Sequence, residues 1–138
     1  MKKTDYSQFI GSLYSEAKRG RWKRFYDNES DSFFWTKRPI PSGNRLAKVA
    51  KEIAFYLDDK GVVNGLLIQP FRNNFLSHNE EIADVLGVFA TTNKIPPGEL
   101  KAVESLLSAS IQKDIYRDIA EEKYSLKDLN RFLTSVSR

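Results

Sequence analysis

Arg21-Trp22-Lys23-Arg24-Phe25-Tyr26-Asp27-Asn28-Glu29-Ser30-Asp31-Ser32-Phe33-Phe34-Trp35-Thr36 is the stretch on which the reading of the fold turns. Aromatic residues crowd both sides of a short polar run, and such side chains favour the pleated surface of a sheet. The run itself, Asp27 to Asp31, is rich in residues whose side chains bond their own backbone and so favour a turn. The stretch is therefore predicted to be a β-hairpin. Strand alternation puts Trp22, Arg24 and Tyr26 on one face and Lys23 and Phe25 on the other.

Upstream, Phe9, Leu13 and Ala17 recur at four-residue spacing with Ile10 and Tyr14 beside them, which predicts a helix over 5–19. Gly20 follows Lys18 and Arg19 as its stop. Downstream, Asp58-Asp59-Lys60-Gly61 reads as a second hairpin turn, followed by a strand in Val62 to Gln69. Residues 44–60 fit two templates. Leu46, Val49 or Ala50, Ile53 and Leu57 make a helix stripe, whereas Ile53, Phe55 and Leu57 make one face of a strand. The chain then reads as helical from Ser77, with Asn79 as N-cap and Glu80 and Glu81 in the first turn. After Pro96-Pro97 an apolar stripe runs from Leu100 through Leu107, Ile111 and Ile115 to Ile119, and Ser125 caps a last helix.

Tyr26-Asp27-Asn28-Glu29-Ser30-Asp31-Ser32-Phe33-Phe34 and Ile53 to Ile68, with Asp58-Asp59-Lys60-Gly61-Val62-Val63 at its centre, together resemble a small prokaryotic family, the domain of unknown function 2283 family. Its hairpins read Y-D-x-E-A-D-x-L-Y and D-x-D-G-x-V-V-G-I-E-I. The resemblance covers about residues 21–70, and Ser30, Phe34 and Leu67 depart from the pattern. It implies four antiparallel strands in two consecutive hairpins, with a strand from about Ile53. It brings no catalytic residues, and it points to the company of small toxins. The expected architecture is thus a single α+β domain. An N-terminal helix (1–20) and three or so C-terminal helices (71–138) pack on a four-stranded antiparallel meander (21–70).

The chain of 138 residues, 41% hydrophobic and 29% charged, has the composition of a globular domain. Apolar runs are far shorter than the ~20 residues of a membrane span, and the polar residues after Lys2 and Lys3 do not suit a signal peptide, so a cytoplasmic protein without membrane contact is expected. There is no cysteine, which excludes disulfides and thiolate chemistry. His78 is the only histidine, so a histidine-based triad or metal site has little to draw on. Glu80, Glu81 and Asp84 suit a helix N-terminus better than a cation site. There is no phosphate-binding glycine loop. Glu81 to Val88 resembles the first half of a helix-turn-helix, but Asn93 and Pro96-Pro97 do not suit a second helix.

Charge is uneven. Residues 1–51 carry 12 Lys/Arg against 5 Asp/Glu, a net of +7, and residues 52–138 carry 10 against 13, a net of −3. The expected function is that of a non-catalytic protein–protein interaction module, antitoxin-like or regulatory, with no cofactor and no metal. The alternative is binding of RNA or single-stranded DNA by the basic aromatic hairpin, with Arg21, Trp22, Lys23, Arg24 and Tyr26 as contacts. The C-terminal stripe either covers the sheet or serves self-association or a protein partner.

Overall fold

A computed structural model describes residues 6–37, 43–80, 83–85 and 97–121. The predicted hairpin is present: β1 (Lys23–Asp27) pairs antiparallel with β2 (Ser32–Thr36), Asp27 opposite Ser32. The ambiguous stretch resolves into two strands, β3 (Arg45–Lys48) and β4 (Ile53–Leu57), and β5 (Val63–Ile68) follows. Between β4 and β5, Asp58 Oδ1 accepts from the backbone N–H groups of Lys60 and Val62, both at 2.9 Å, and Gly61 adopts a φ of 80°. The second predicted turn is thus in place.

The sheet has five strands, not four, and its order is β1-β2-β5-β4-β3, not that of a meander. Both predicted hairpins exist, but the second docks on β2 through its later strand. Two features make β5 the inner strand. Five of its six residues are buried, as a strand flanked on both edges requires. At Gly65 it also approaches β2 so closely that a Cβ there would lie 2.5 Å from Thr36 Cα. The edges go to β1 and β3, whose Lys23, Arg24, Arg45 and Lys48 are suited to strands with one unpaired side.

One face of the sheet carries Phe33 and Trp35 of β2, Leu66 and Ile68 of β5, Ile53, Phe55 and Leu57 of β4 and Ala47 of β3, all buried. The helices lie on this face. The N-terminal stripe is as predicted, with Ile10, Leu13 and Ala17 buried, but the helix divides at Ser12 into α1 (Tyr6–Gly11) and α2 (Leu13–Arg19). Its end also differs from expectation. Gly20 keeps a right-handed conformation, and Arg21 takes the left-handed one with φ 56°. The N–H of Trp22 returns to the carbonyl of Ala17 and that of Arg21 to Lys18, a Schellman closure. Gly20 is needed for space, since a Cβ there would lie 2.6 Å from the Trp22 indole nitrogen.

The helix that starts on the second proline of the pair is α3 (Pro97–Ala120), and Leu107, Ile111 and Ile115 join the same core. The central part of the C-terminal stripe is therefore spent inside the chain and does not supply an outward partner face. The segment from Phe71 adds turns that were not predicted: Phe71–Phe75 forms a π turn and Leu76–His78 a 3-10 turn, so Ser77 and His78 stand in a 3-10 turn ahead of the expected helix, of which 83–85 are described and are helical. The reason is aromatic packing. The rings of Phe71 and Phe75 stack at 5.7 Å, and Phe71 stacks on Phe33 of the sheet at 4.8 Å. Asn79 is wholly buried, and its amide donates to the Phe75 carbonyl at 2.8 Å, closing the turns behind it. The predicted Ser125 helix, most of the proline loop at 38–42, and Glu81 with the second half of the helix-turn-helix-like segment lie outside the described residues.

Gly65→Ala should destabilise the protein by about 1–3 kcal/mol, because the obstacle is the β2 backbone and not a side chain that can turn away. A lowered urea midpoint with unchanged slope would show it.

Candidate functional site

The five basic and aromatic residues singled out in β1 and its approach divide between the two faces of the sheet. Trp22 is buried, its ring edge-on to Trp35 at 5.9 Å and tilted on Phe9 at 6.1 Å. Arg24, paired across from Trp35, is half-buried on the helix side. Burial lowers its pKa, opposed by the charge of Glu104 on α3, and burial raises that of Glu104, opposed by Arg24 and Lys18. Tyr26 lies on the same side, its ring 5.8 Å from Phe71 and 5.4 Å beneath the Arg72 guanidinium. Arg21 and Lys23 are exposed. The alternation read from the sequence holds, and it leaves Lys23 and Phe25 on the face turned away from the helices.

That outer face is built by register. Phe25 stands opposite Phe34, Phe34 opposite Leu67, Leu67 opposite Ala54 and Ala54 opposite Lys48, one row across all five strands. A second row runs Lys23, Thr36, Gly65, Tyr56, Leu46. Phe25 is 48% exposed and Leu46 47%, and Phe34, Leu67 and Tyr56 are partly exposed. The Phe25 and Phe34 rings lie 6.0 Å apart. These two rows offer aromatic and aliphatic contact with a cation at each end, and they contain no carboxylate or imidazole. Sequence reasoning set Lys23 and Phe25 on one face but did not bring Phe34, Leu67, Tyr56 and Leu46 beside them, because the face exists only once β2, β5, β4 and β3 are set side by side.

The turn of the first hairpin holds a clasp. The Tyr26 hydroxyl donates to Asp31 Oδ1 at 2.6 Å, and Asp31 also accepts from the N–H groups of Arg72 at 2.8 Å and Asn73 at 3.0 Å. Burial and the Asp31 carboxylate push the Tyr26 phenol up to about 12. Burial acts to raise the Asp31 carboxyl, but the bonds from Tyr26, Arg72 and Asn73 outweigh it and hold the carboxyl below its usual range. Asp31 takes φ 52°, a conformation Asp tolerates better than most residues. The clasp gives Tyr26 a structural post.

A second polar cluster joins the β3–β4 turn, the π and 3-10 turns, and α3. Glu52, Asp114 and Asp118 are 5%, 2% and 2% exposed. His78 Nε2 lies 3.1 Å from Glu52 Oε1. Arg117 bridges Asp114 and Asp118, and the Lys51 N–H donates to Asp118 at 2.6 Å. Burial raises the Asp114 carboxyl, helped by the Glu52 charge and opposed by Arg117 and by the Asn79 hydrogen bond. The histidine–carboxylate pair has the outline of a base, but the neighbouring Ser77 hydroxyl donates to the Asn74 carbonyl at 2.6 Å. Among the described residues no group of three or more His, Asp or Glu is placed to hold a metal ion. Glu80 and Asp84 are exposed, apart from this cluster. The buried acids had one legible signal: Asp114 and Asp118 fall at helical spacing on the same face as Ile111 and Ile115.

Asp31→Ala should cost about 1–3 kcal/mol. Because the folded carboxyl titrates below its unfolded value of ~4, the stabilisation is complete above that pH and is lost as pH falls through the lower folded value. The difference between wild type and variant, followed by urea unfolding at stepped pH, should shrink on acidification. Asp114 has the opposite sign. Its raised folded value makes its contribution largest below pH ~4 and diminishing as pH rises through that folded value. Asp114→Asn should therefore be less destabilising, relative to wild type, at neutral pH than at pH ~4. A larger loss at neutral pH would mean that attraction to Arg117 outweighs burial.

No described helix is long and apolar enough to cross a membrane. No protein-family model matches the chain, and no curated protein and no solved structure matches it significantly.

Proposed function

We propose that the protein is a non-catalytic binding protein of the cytoplasm that works through protein–protein contacts, and that the outer face of its sheet is the contact surface. The observation that carries this reading is the pair of rows in which Phe25, Phe34, Leu67, Tyr56 and Leu46 line one side of a five-stranded sheet with Phe25 and Leu46 about half exposed. Contiguous exposed apolar surface marks interaction sites far more often than single exposed residues do. The resemblance of residues 21–70 to the domain of unknown function 2283 family, whose members look like partners of small toxins, supports an antitoxin-like or regulatory role. His78 and Glu52 pair between the 3-10 turn and the β3–β4 turn, and Asp114 and Asp118 of α3 are engaged by Arg117, Asn79 and the Lys51 N–H, so the groups best suited to chemistry have structural partners.

Binding of RNA or single-stranded DNA is the second reading, favoured by Lys23 standing beside Phe25 and Phe34 on one face. Stacking on bases requires flat rings, and the half of the face formed by Leu67, Ala54 and Leu46 has none but Tyr56. Trp22 and Tyr26, the rings first considered for stacking, lie on the helix side.

The double variant Phe25→Ser/Leu46→Ser should stay folded, losing about 1 kcal/mol or less per site. Used as bait beside the wild type in a cell extract, it should fail to retain proteins that the wild type retains. Identical captures by both baits would contradict the proposal. Salt-dependent retention of nucleic acid on a filter, lost in the double variant, would favour the second reading.

A further inference from the structure

We infer that the partner seated on the outer face is an acidic amphipathic helix of another protein, an inference that rests on the binding reading above and names its ligand. The first ground is charge. The row Phe25–Phe34–Leu67–Ala54 ends on Lys48 of edge strand β3, and the row that ends on Leu46 begins with Lys23 of edge strand β1. Both lysines are exposed, they stand on opposite edges, and no carboxylate lies in either row. The one acid on this side of β1, Asp27, sits at the hairpin end and accepts a hydrogen bond from the Ser30 hydroxyl. An apolar strip with a cation at each end is complementary to an apolar stripe flanked by carboxylates.

The second ground is spacing. Neighbouring strands lie ~4.8 Å apart, so the five positions of a row span roughly 19 Å. Successive apolar residues on one helix face, three or four positions apart, rise about 5.4 Å per turn, so a helix of about 13 residues lying across the strands meets one sheet position per turn. A second copy of this chain fits less well. It would bring another lysine-bearing face from a chain of net charge +4 against the first, with no acid in the rows to meet it.

The test uses three synthetic helical peptides with one shared leucine and phenylalanine stripe and a polar face of glutamate, glutamine or lysine, titrated into the full chain by fluorescence anisotropy. The glutamate peptide should bind at least about tenfold more tightly than the lysine peptide, a difference of ~1.4 kcal/mol. Added salt should narrow that gap. Phe25→Ser/Leu46→Ser should abolish binding of all three. Lys23→Glu/Lys48→Glu, which leaves the apolar strip intact, should reverse the preference. Equal or tighter binding of the lysine peptide, lost in the serine double variant, would overturn the inference while leaving the face as a protein contact surface. Failure of every peptide to bind, or binding indifferent to the serine double variant, would overturn it too. The extract comparison above then decides separately whether the binding reading also falls. Sedimentation as a dimer that the serine double variant converts to a monomer would overturn it in favour of self-association.

Discussion

A two-stranded hairpin is marginal in water, and the β1–β2 hairpin of this protein stands because β2 is paired on its other edge with β5. That pairing sets Trp35 beside Leu66 and Phe33 beside Ile68. Phe55 and Ile53 of β4 continue the same rows, and all six side chains are essentially fully buried. Burying each contributes about 1.5–3 kcal/mol. Everything else is arranged around this slab: α1, α2 and α3 cover it, the stacked rings of Phe71 and Phe75 close one end, and Trp22 leads the chain from α2 under its edge. Gly65 is the local condition for it, because only a residue without a Cβ lets β5 approach Thr36.

Because alternation is strict in paired strands, fixing one face fixes the other. Once Phe33 and Trp35 point to the helices, Phe34 must point away. Once Trp22, Arg24 and Tyr26 turn inward, Lys23 and Phe25 turn out. The outer face is thus a consequence of the core's register, and its apolar character is not needed to build that core. The polar groups divide similarly. Asp31 ties the first turn to the segment after β5, Glu52 meets His78 of the 3-10 turn, and the Lys51 N–H bond to Asp118 ties α3 to the β3–β4 turn. The chemistry-bearing residues hold the frame, and the residues left exposed on the sheet form the proposed contact face.

Much of this was legible locally. Both hairpins, the N-terminal helix and the apolar stripe of α3 follow from period, turn chemistry and breakers, because those signals act over a few residues. The fifth strand was not. Arg45-Leu46-Ala47-Lys48 has two cations and one leucine, and only pairing with β4 makes it a strand. Nor was the strand order legible, since a hairpin's local pattern does not say which of its edges meets the rest of the sheet. Of the basic aromatic segment, the alternation was readable but the direction was not. A period of two separates the faces without telling which one the helices cover. Tyr26 and Asp31 stand close together in the hairpin motif, and their contact appears only when the turn folds back on itself.

The two-faced sheet is tested most directly by solvent paramagnetic relaxation in the NMR spectrum of the intact chain, using a soluble, uncharged paramagnetic probe. The side-chain signals of Phe25 and Leu46 should broaden strongly, while the indole signals of Trp22 and Trp35 and the methyls of Leu66 and Ile68 persist. Broadening of the tryptophan indoles with protection of Phe25 and Leu46 would contradict the assignment of faces, and with it the proposed contact surface.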